Sequence, residues 1–307
     1  MSSHSVQNIT ILGTGLIGAS IGLALRAQGF SGKVTGWDKS PEEATIAQRS
    51  GAIDEVTADP VSSAQASDLI ILATPVLGIL DWMERLAPML RPGQLVTDVG
   101  STKREICEHA AKLFPRNKTN KNHSAGFLAG HPMAGKEVQG ATHADAQLFR
   151  SAVWLFAVTH EAHAENAATP EEQLEEARRQ EWRGWVRRFG SRVVELDPVR
   201  HDELCAWASH LPQMVGTALA ALLEDEFGSS EALREELRDV GGRAMREMTR
   251  LGASPFSMWR DVARTNTEPL EMVLLALEQR LAHIRENLKH PELREEFERA
   301  NQFRKRF

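Results

Sequence analysis

The eleven positions from Asn8 to Gly18 restrict the fold more than any other part of the chain. Asn8-Ile9-Thr10-Ile11-Leu12 is a short β-rich run, Gly13-Thr14-Gly15-Leu16-Ile17-Gly18 follows at once, and residues 20–28 carry a helical pattern. A strand, a glycine turn and a helix in succession, with G-x-G-x-x-G spacing, open a dinucleotide-binding βαβ unit. The glycines let a pyrophosphate approach the backbone at the helix N-terminus, where free N–H groups and the helix dipole favour an anion. Lys33-Val34-Thr35-Gly36-Trp37 reads as the second strand and ends at Asp38, 20 residues beyond Gly18. That carboxylate can accept hydrogen bonds from both ribose hydroxyls and would repel a 2′-phosphate. Gly13, Gly15, Leu16, Ile17, Gly18 and Asp38 are therefore expected to bind NAD in preference to NADP, with Lys39 as the one opposing charge nearby.

The alternation continues. Ser40-Pro41-Glu42-Glu43 has capping-box spacing with proline at the first helical position. Leu69-Ile70-Ile71-Leu72-Ala73 is an apolar run of the kind found in buried parallel strands, and an amphipathic helix is expected over 77–90. Between them, Thr74 and Pro75 should border the cofactor, because ligands in open parallel sheets lie beyond the carboxyl ends of the strands. Arg91-Pro92-Gly93 reads as a turn, and Leu95-Val96-Thr97-Asp98-Val99 as a strand running into Gly100-Ser101-Thr102-Lys103. Thr102 and Glu105 have capping-box spacing, which leaves Ser101 free for other work. Residues 118–122 read as a polar surface loop. Two further strands, within 152–158 and 192–196, flank a charged helical segment over 170–189 whose charges are expected to form a solvated face.

At Asp197-Pro198 the pattern becomes helical throughout. Helical spacing runs across Pro212, which requires either a kink or a break between two helices. Leu270, Leu274, Leu277, Leu281, Ile284 and Leu288 form a stripe that Val273 and Leu275 widen. So broad an apolar surface suits burial against another subunit, although pattern alone also allows an internal core. The expected fold class is α/β: a Rossmann-type doubly wound sheet over 1–197, then an all-helical dimerisation domain over 198–307.

Gly130-His131-Pro132-Met133-Ala134-Gly135-Lys136-Glu137 places a titratable histidine in a constrained bend. Pro132 biases His131 toward an extended backbone, and a histidine held that way suits proton transfer near neutral pH. A net charge of −6 argues against general nucleic-acid binding, and Arg304-Lys305-Arg306 is too short to alter that. The first seven residues lack the apolar core of a signal peptide, and the longest apolar run, 69–80, is too short to span a bilayer, so a cytoplasmic location is expected. Cys107 and Cys205 fall in no metal-ligand or redox pair, so reduced structural thiols are expected. His160-Glu161-Ala162-His163 falls one residue short of the zinc-protease spacing, and no metal is expected.

Five motifs occur in order: Gly13 to Gly18 as quoted, Asp98-Val99-Gly100-Ser101-Thr102-Lys103, the segment around His131, Ser209-His210-Leu211-Pro212, and Met245-Arg246-Glu247-Met248-Thr249-Arg250. With Met258-Trp259-Arg260-Asp261-Val262 through Asn266, they make nearly the whole chain resemble the prephenate and arogenate dehydrogenases of tyrosine biosynthesis. The resemblance implies an active site between a Rossmann domain and a dimerising helical domain, where prephenate is oxidatively decarboxylated with NAD. It implies that His131 takes the proton of the substrate's 4-hydroxyl and that Ser101 orients this hydroxyl and the nicotinamide. Arg250 would clamp a carboxylate, His210, His201 and Glu137 would line or gate the site, and Trp259 would form a wall. Gln213 stands where many relatives carry histidine, and Arg243 and Ala244 partly replace glycines usual upstream of Arg250. These departures lie near the substrate side chain, so arogenate remains the alternative, with the positive charge of Arg243 favouring prephenate slightly. No regulatory module is recognisable at the end of the chain, so tyrosine feedback, if any, is expected at or near the active site. The β-hydroxyacid dehydrogenases share the two-domain plan but need a lysine in the helix after the Rossmann domain, and none occurs between Lys136 and Lys289. A non-catalytic NAD-sensing dimer would leave His131, Ser101 and Arg250 without a joint purpose.

Overall fold

The computed structural model describes residues 6–115, 125–158 and 169–306; the polar stretch 118–122 and the histidines at 160 and 163 lie outside these ranges. Eight described strands form one sheet in the order β3-β2-β1-β4-β5-β6-β7-β8. Strands β1 (Asn8–Leu12), β2 (Lys33–Trp37), β3 (Glu55–Val56), β4 (Leu69–Leu72), β5 (Leu95–Asp98) and β6 (Gly126–Pro132) are parallel. β7 (Val153–Ala157) pairs antiparallel with β6, and β8 (Arg192–Leu196) runs parallel to β7. Helices α1 (Leu16–Ala27), α2 (Pro41–Arg49), α3 (Pro60–Gln65), α4 (Val76–Leu86), α5 (Arg104–Leu113) and α6 (Pro170–Arg188) make the connections.

Both faces of the sheet are covered, which is why the strands read as continuous apolar runs. Alternate side chains leave opposite faces. Leu69 and Ile71 join Ile9, Ile11, Trp154 and Trp182 in one core, while Ile70 and Leu72 join Leu12, Val96, Trp82 and Met83 in the other. Burial of each such side chain contributes about 1.5–3 kcal/mol. Strand order reverses between β1 and β4, and the crevice beyond their carboxyl ends is the position where doubly wound sheets bind ligands.

Several local expectations are corrected. Helix α2 starts at Pro41 as its sequence predicts, but no capping box forms: the Ser40 side chain makes no cap bond, the Ser40 N–H goes to Asp38, and Glu43 accepts the Ala141 N–H. Thr102 does not cap α5 either: its hydroxyl bonds that of Thr265 at 2.7 Å. The charged helix α6 is no solvated face throughout, since Glu175, Arg178, Arg179 and Arg183 are buried. Arg178 is tied to Asp68 and to the Gly93 carbonyl, and Arg183 lies 3.0 Å from Glu195, so the charges enter the interior already paired. His131 sits in extended strand opposite Leu155, not in a bend, and the chain turns only after Pro132.

No strand follows Leu196 among the described residues. The Asp197 carboxylate accepts the N–H groups of Val199 and Arg200 and starts α7 (Pro198–Cys205) with proline at its first turn. Two helices part just before Pro212, which stands in the first turn of the second without stopping the run. A single π turn (Ala206–His210) joins α7 to α8 (Leu211–Phe227), and its wider winding absorbs the donor that proline lacks. Then come α9 (Glu231–Val240), α10 (Arg243–Thr249), a 3₁₀ turn (Arg250–Ala253), α11 (Phe256–Thr265), α12 (Thr267–Glu286) and α13 (Glu292–Arg306). This part holds little core of its own. Ala206, Leu270 and Val273 form its one small buried cluster among the described residues, whereas Leu275, Leu281 and Leu288 are 55%, 56% and 61% exposed. No described helix is long and apolar enough to cross a membrane.

Candidate functional site

Gly13 has φ of +99°, and a Cβ there would collide with the Ala73 carbonyl, which follows β4. The glycine thus lets the turn after β1 close against the neighbouring strand. A Cβ on Gly15 would meet nothing within 4 Å, and Gly15 starts α1 without any side-chain cap. Open space therefore faces an unsatisfied helix N-terminus, the arrangement that fits a pyrophosphate. Leu16 and Ile17 form the first turn of α1, and Gly18 packs where a Cβ would strike the Gly13 carbonyl. Asp38 lies just past β2, half-buried, and accepts the N–H groups of Thr14 (2.7 Å) and Ser40 (2.9 Å). These two bonds fix the carboxylate at the edge of the crevice. Thr74 and Pro75 follow β4 on its other side, and the buried Thr74 hydroxyl has no protein partner.

Beyond the crevice, the sheet meets the helices along a buried polar seam. His131, at the end of β6, places Nδ1 2.9 Å from Nε2 of His201 on α7. His201 in turn places Nδ1 2.7 Å from Oδ1 of Asp202. Asp202 also accepts the N–H groups of Lys103 (2.7 Å) and Arg104 (2.9 Å), so it is the cap of α5 that Thr102 is not. Its own carbonyl accepts the Asn266 amide at 2.9 Å. Strand, helix N-terminus and histidine relay are thus fastened at one carboxylate.

The seam continues toward β5. Lys103 and Asp98 are wholly buried and paired through Nζ and Oδ2. Asp98 further accepts N–H groups from Gly100 (2.8 Å) and from Gly130 (3.0 Å), the residue before His131. A buried ion pair needs further hydrogen bonds to offset its desolvation, and two backbone N–H groups serve the carboxylate here. Two more links cross the seam: the Asp261 carboxylate accepts the Leu77 N–H in the first turn of α4 (3.2 Å), and Thr102 meets Thr265.

Burial sets the charge state of the histidines. It holds the His131 imidazole well below its ordinary value, and the positive charge of Lys103, with any charge gained by His201 or His210, acts in the same direction. Burial also lowers His201, against the opposing hydrogen bond to Asp202. For His210 burial brings the value down to about 4, although the Asp202 charge resists. All three are neutral at pH 7. Burial pushes the Cys205 thiol up to about 12, so it stays protonated.

His210, in the π turn, meets the Asn266 amide through Nδ1 at 3.1 Å and the Trp259 ring edge-on at 5.8 Å. His210 Nε2 and Trp259 Nε1 are both buried without a protein partner. With Asn266 donating to Nδ1, Nε2 carries the hydrogen, so two neighbouring N–H donors await an acceptor. Arg250 begins the 3₁₀ turn and pairs with Glu137, six residues beyond His131, which brings the guanidinium to the chain leaving β6. Ser101 is half-buried just past β5. Gln213 is buried with its amide committed: it donates to Thr217 Oγ1 (3.0 Å) and the Leu251 carbonyl (2.7 Å) and accepts from Ser254 (3.0 Å). It braces the turn that bears Arg250. Arg243 is exposed and paired with Glu247 at 2.6 Å.

Sequence reasoning passed over Asp202, Lys103 and Asp98 as functional positions. The signal available was the His201-Asp202 dipeptide just inside a capped helix and the acid at the end of β5, beside the glycine-bounded turn.

The chain matches the family "Prephenate dehydrogenase, nucleotide-binding domain" over residues 21–180 and "Prephenate dehydrogenase, dimerization domain" over residues 197–303. The prephenate dehydrogenase of Lactococcus lactis subsp. cremoris is 32% identical over 264 residues, 86% of this chain. The chain spans 66% of that relative's length, slightly less than two thirds. Among solved structures, prephenate dehydrogenase from A. aeolicus in complex with hydroxyphenyl propionate and NAD+ superposes with a TM-score of 0.79 at 26% identity, over 99% of this chain and 97% of that one. The arogenate dehydrogenase of Synechocystis gives 0.72 at 28% identity, over 97% and 99%. Matched along both halves and seated on the same architecture, the chain belongs to the prephenate dehydrogenase family.

Proposed function

We propose that the chain catalyses NAD-dependent oxidative decarboxylation of prephenate to 4-hydroxyphenylpyruvate in tyrosine biosynthesis. The observation that carries this reading is the relay from His131 through His201 to Asp202. An ionised carboxylate only accepts, so His201 must carry its hydrogen on Nδ1 and offer the lone pair of Nε2. His131 Nδ1 must then donate to it, and the lone pair of His131 falls on Nε2, the one ring nitrogen the relay does not use. Three side chains fix one tautomer, and that tautomer is a base.

The nucleotide supplies a hydride acceptor when bound in the crevice formed by Gly13, Gly15, Leu16, Ile17, Gly18, Asp38, Thr74 and Pro75. Ser101 and His131 Nε2 receive the substrate's ring hydroxyl, and His131 takes its proton as hydride leaves the same carbon. The ring carboxylate departs as carbon dioxide and the ring becomes aromatic. The positive charge gained by His131 is stabilised through His201 by Asp202, so the base need not be exposed to water. His210 Nε2 and Trp259 Nε1 offer donors to a carboxylate of the substrate, and Arg250 can exchange Glu137 for another by two parallel bonds. Gln213 acts behind the turn that bears Arg250 and does not itself touch the substrate. Residues 1–197 form the dinucleotide domain and 198–307 the substrate domain. The exposed leucines of α12 are covered in a homodimer, in keeping with the dimerization family matched there.

Arogenate is the second reading, favoured by the likeness to the Synechocystis enzyme. NADH formation at fixed enzyme, followed by absorbance with prephenate and arogenate in parallel and repeated with NADP, decides among them. Faster turnover of prephenate with NAD is expected. No reduction with either substrate would leave a non-catalytic nucleotide-binding dimer.

A further inference from the structure

Cys205 is a buried thiol that the relay does not use. It lies one helical turn beyond His201 on α7, so the two share a face, and β6 brings His131 against both. Nδ1 or Nε2 of the two imidazoles and Sγ of Cys205 all lie within 4.8 Å of one another, and Sγ is 3.7 Å from His201 Nε2. Zinc holds nitrogen at about 2.0–2.1 Å and thiolate sulfur at about 2.3 Å, which puts tetrahedral ligands about 3.3–3.6 Å apart. The spacing of 2.9 Å between His131 Nδ1 and His201 Nε2 must open by only about half an ångström to reach this. The sequence placed Cys205 in no ligand set because its partners come from another helical turn and another strand.

We propose that His131, His201 and Cys205 form a site for a thiophilic divalent cation, zinc above all, which switches off the base at His131 by taking its Nδ1. The cation replaces the hydrogen between the two imidazoles. His201 binds through Nε2 and keeps its Nδ1–H bond to Asp202, which gives the carboxylate–histidine–metal order that orients a ligand and raises its basicity. Cys205 gives up its thiol proton to solvent, one per cation bound, because a coordinated thiol is deprotonated outright. His131 keeps its single proton but must now carry it on Nε2. The nitrogen aimed at the substrate changes from acceptor to donor, so the base is lost even where the crevice is unobstructed. A resident cation here would abolish the proposed reaction, and the site is therefore inhibitory.

The inhibitory consequence rests on the proposed dehydrogenase reading; cation binding does not. The test uses the full chain stripped with chelator and titrated with Co²⁺, whose bond to thiolate gives a near-ultraviolet charge-transfer band and whose tetrahedral sites give intense visible bands. One equivalent per chain should develop both, Zn²⁺ should bleach them, and Cys107→Ala should leave them unchanged. Cys205→Ala should lack the charge-transfer band and need at least about tenfold more Zn²⁺ for half-inhibition. In the wild type Zn²⁺ should lower kcat with little change in the KM for substrate. Absence of the thiolate band in folded wild-type protein, or its survival in Cys205→Ala, overturns the site. A band with undiminished turnover overturns the inhibition alone, and a band in a chain that turns over neither substrate overturns the dehydrogenase reading while the cation site stands.

Discussion

Asp202 and Glu137 are both carboxylates that join the sheet to the helices, and they do so in opposite ways. Asp202 is buried and holds two backbone N–H groups and an imidazole. The Glu137 side chain is 34% exposed and meets the guanidinium of Arg250, itself 58% exposed. A buried charge costs several kcal/mol to desolvate and must be fully partnered, so the seam is fixed before any substrate arrives. An exposed ion pair is worth about 0–1 kcal/mol and can open. In the proposed reaction, proton chemistry falls on the rigid side and carboxylate recognition on the side that can change partners.

The largest expected effect lies on the rigid side. His131→Asn keeps a polar side chain in β6 but removes the base, and kcat should fall by about 10²- to 10⁴-fold. NAD affinity and melting temperature should stay near wild type, because the crevice and the Asp98–Lys103 pair are untouched. Turnover close to normal would break the assignment of the relay to catalysis.

Lys103→Met should strike stability instead. It leaves Asp98 charged and buried with only the Gly100 and Gly130 N–H groups, and removal of one partner from such a pair costs about 3–5 kcal/mol. Denaturant midpoints would measure it. Arg250→Ala makes the contrasting case: a stability loss under about 1 kcal/mol, but a substrate KM raised by roughly 10- to 100-fold, as expected when a charge-assisted carboxylate contact disappears. If Arg250→Ala destabilised as much as Lys103→Met, the contrast between the two sides would fail.

How much of this was legible depended on whether one segment contained the whole signal. The strand, glycine turn, helix and Asp38 sit within one βαβ unit, so their periods and spacing reveal the crevice. The apolar run at β4 likewise announces a strand covered on both faces. The relay is different. His131 and His201 are 70 positions apart, and the Asp202 carboxylate reaches α5 across 98 and 99 positions, so no local pattern could show that an acid on one helix caps another. Thr102 had the right spacing for the cap and lost the role because Thr265 claims its hydroxyl. The π turn before Pro212 was also hidden: a proline marks a conflict in the helix ladder without saying how neighbouring residues resolve it.

The smallest effect sharpens the comparison through pH. A histidine whose folded value is depressed binds fewer protons in the native state than in the unfolded chain, so stability rises with pH up to the unfolded value near 6.5 and is lost below it. His131, His201 and His210 all carry this sign. With His210 at about 4, its share of the loss between pH 7 and pH 5 is about 2 kcal/mol. Carboxylates with lowered values, such as Asp59 and Glu231, also lose their contribution on acidification, but only as the pH falls below about 4.5. The window from 6.5 to 5 therefore reports the buried histidines. Denaturant unfolding of the wild type across it should show a falling midpoint, and His210→Asn should flatten the slope by roughly its share while Arg250→Ala leaves the slope alone. An equal slope in all three chains would mean that His210 is already protonated in the fold and that the seam is wetter than its packing indicates.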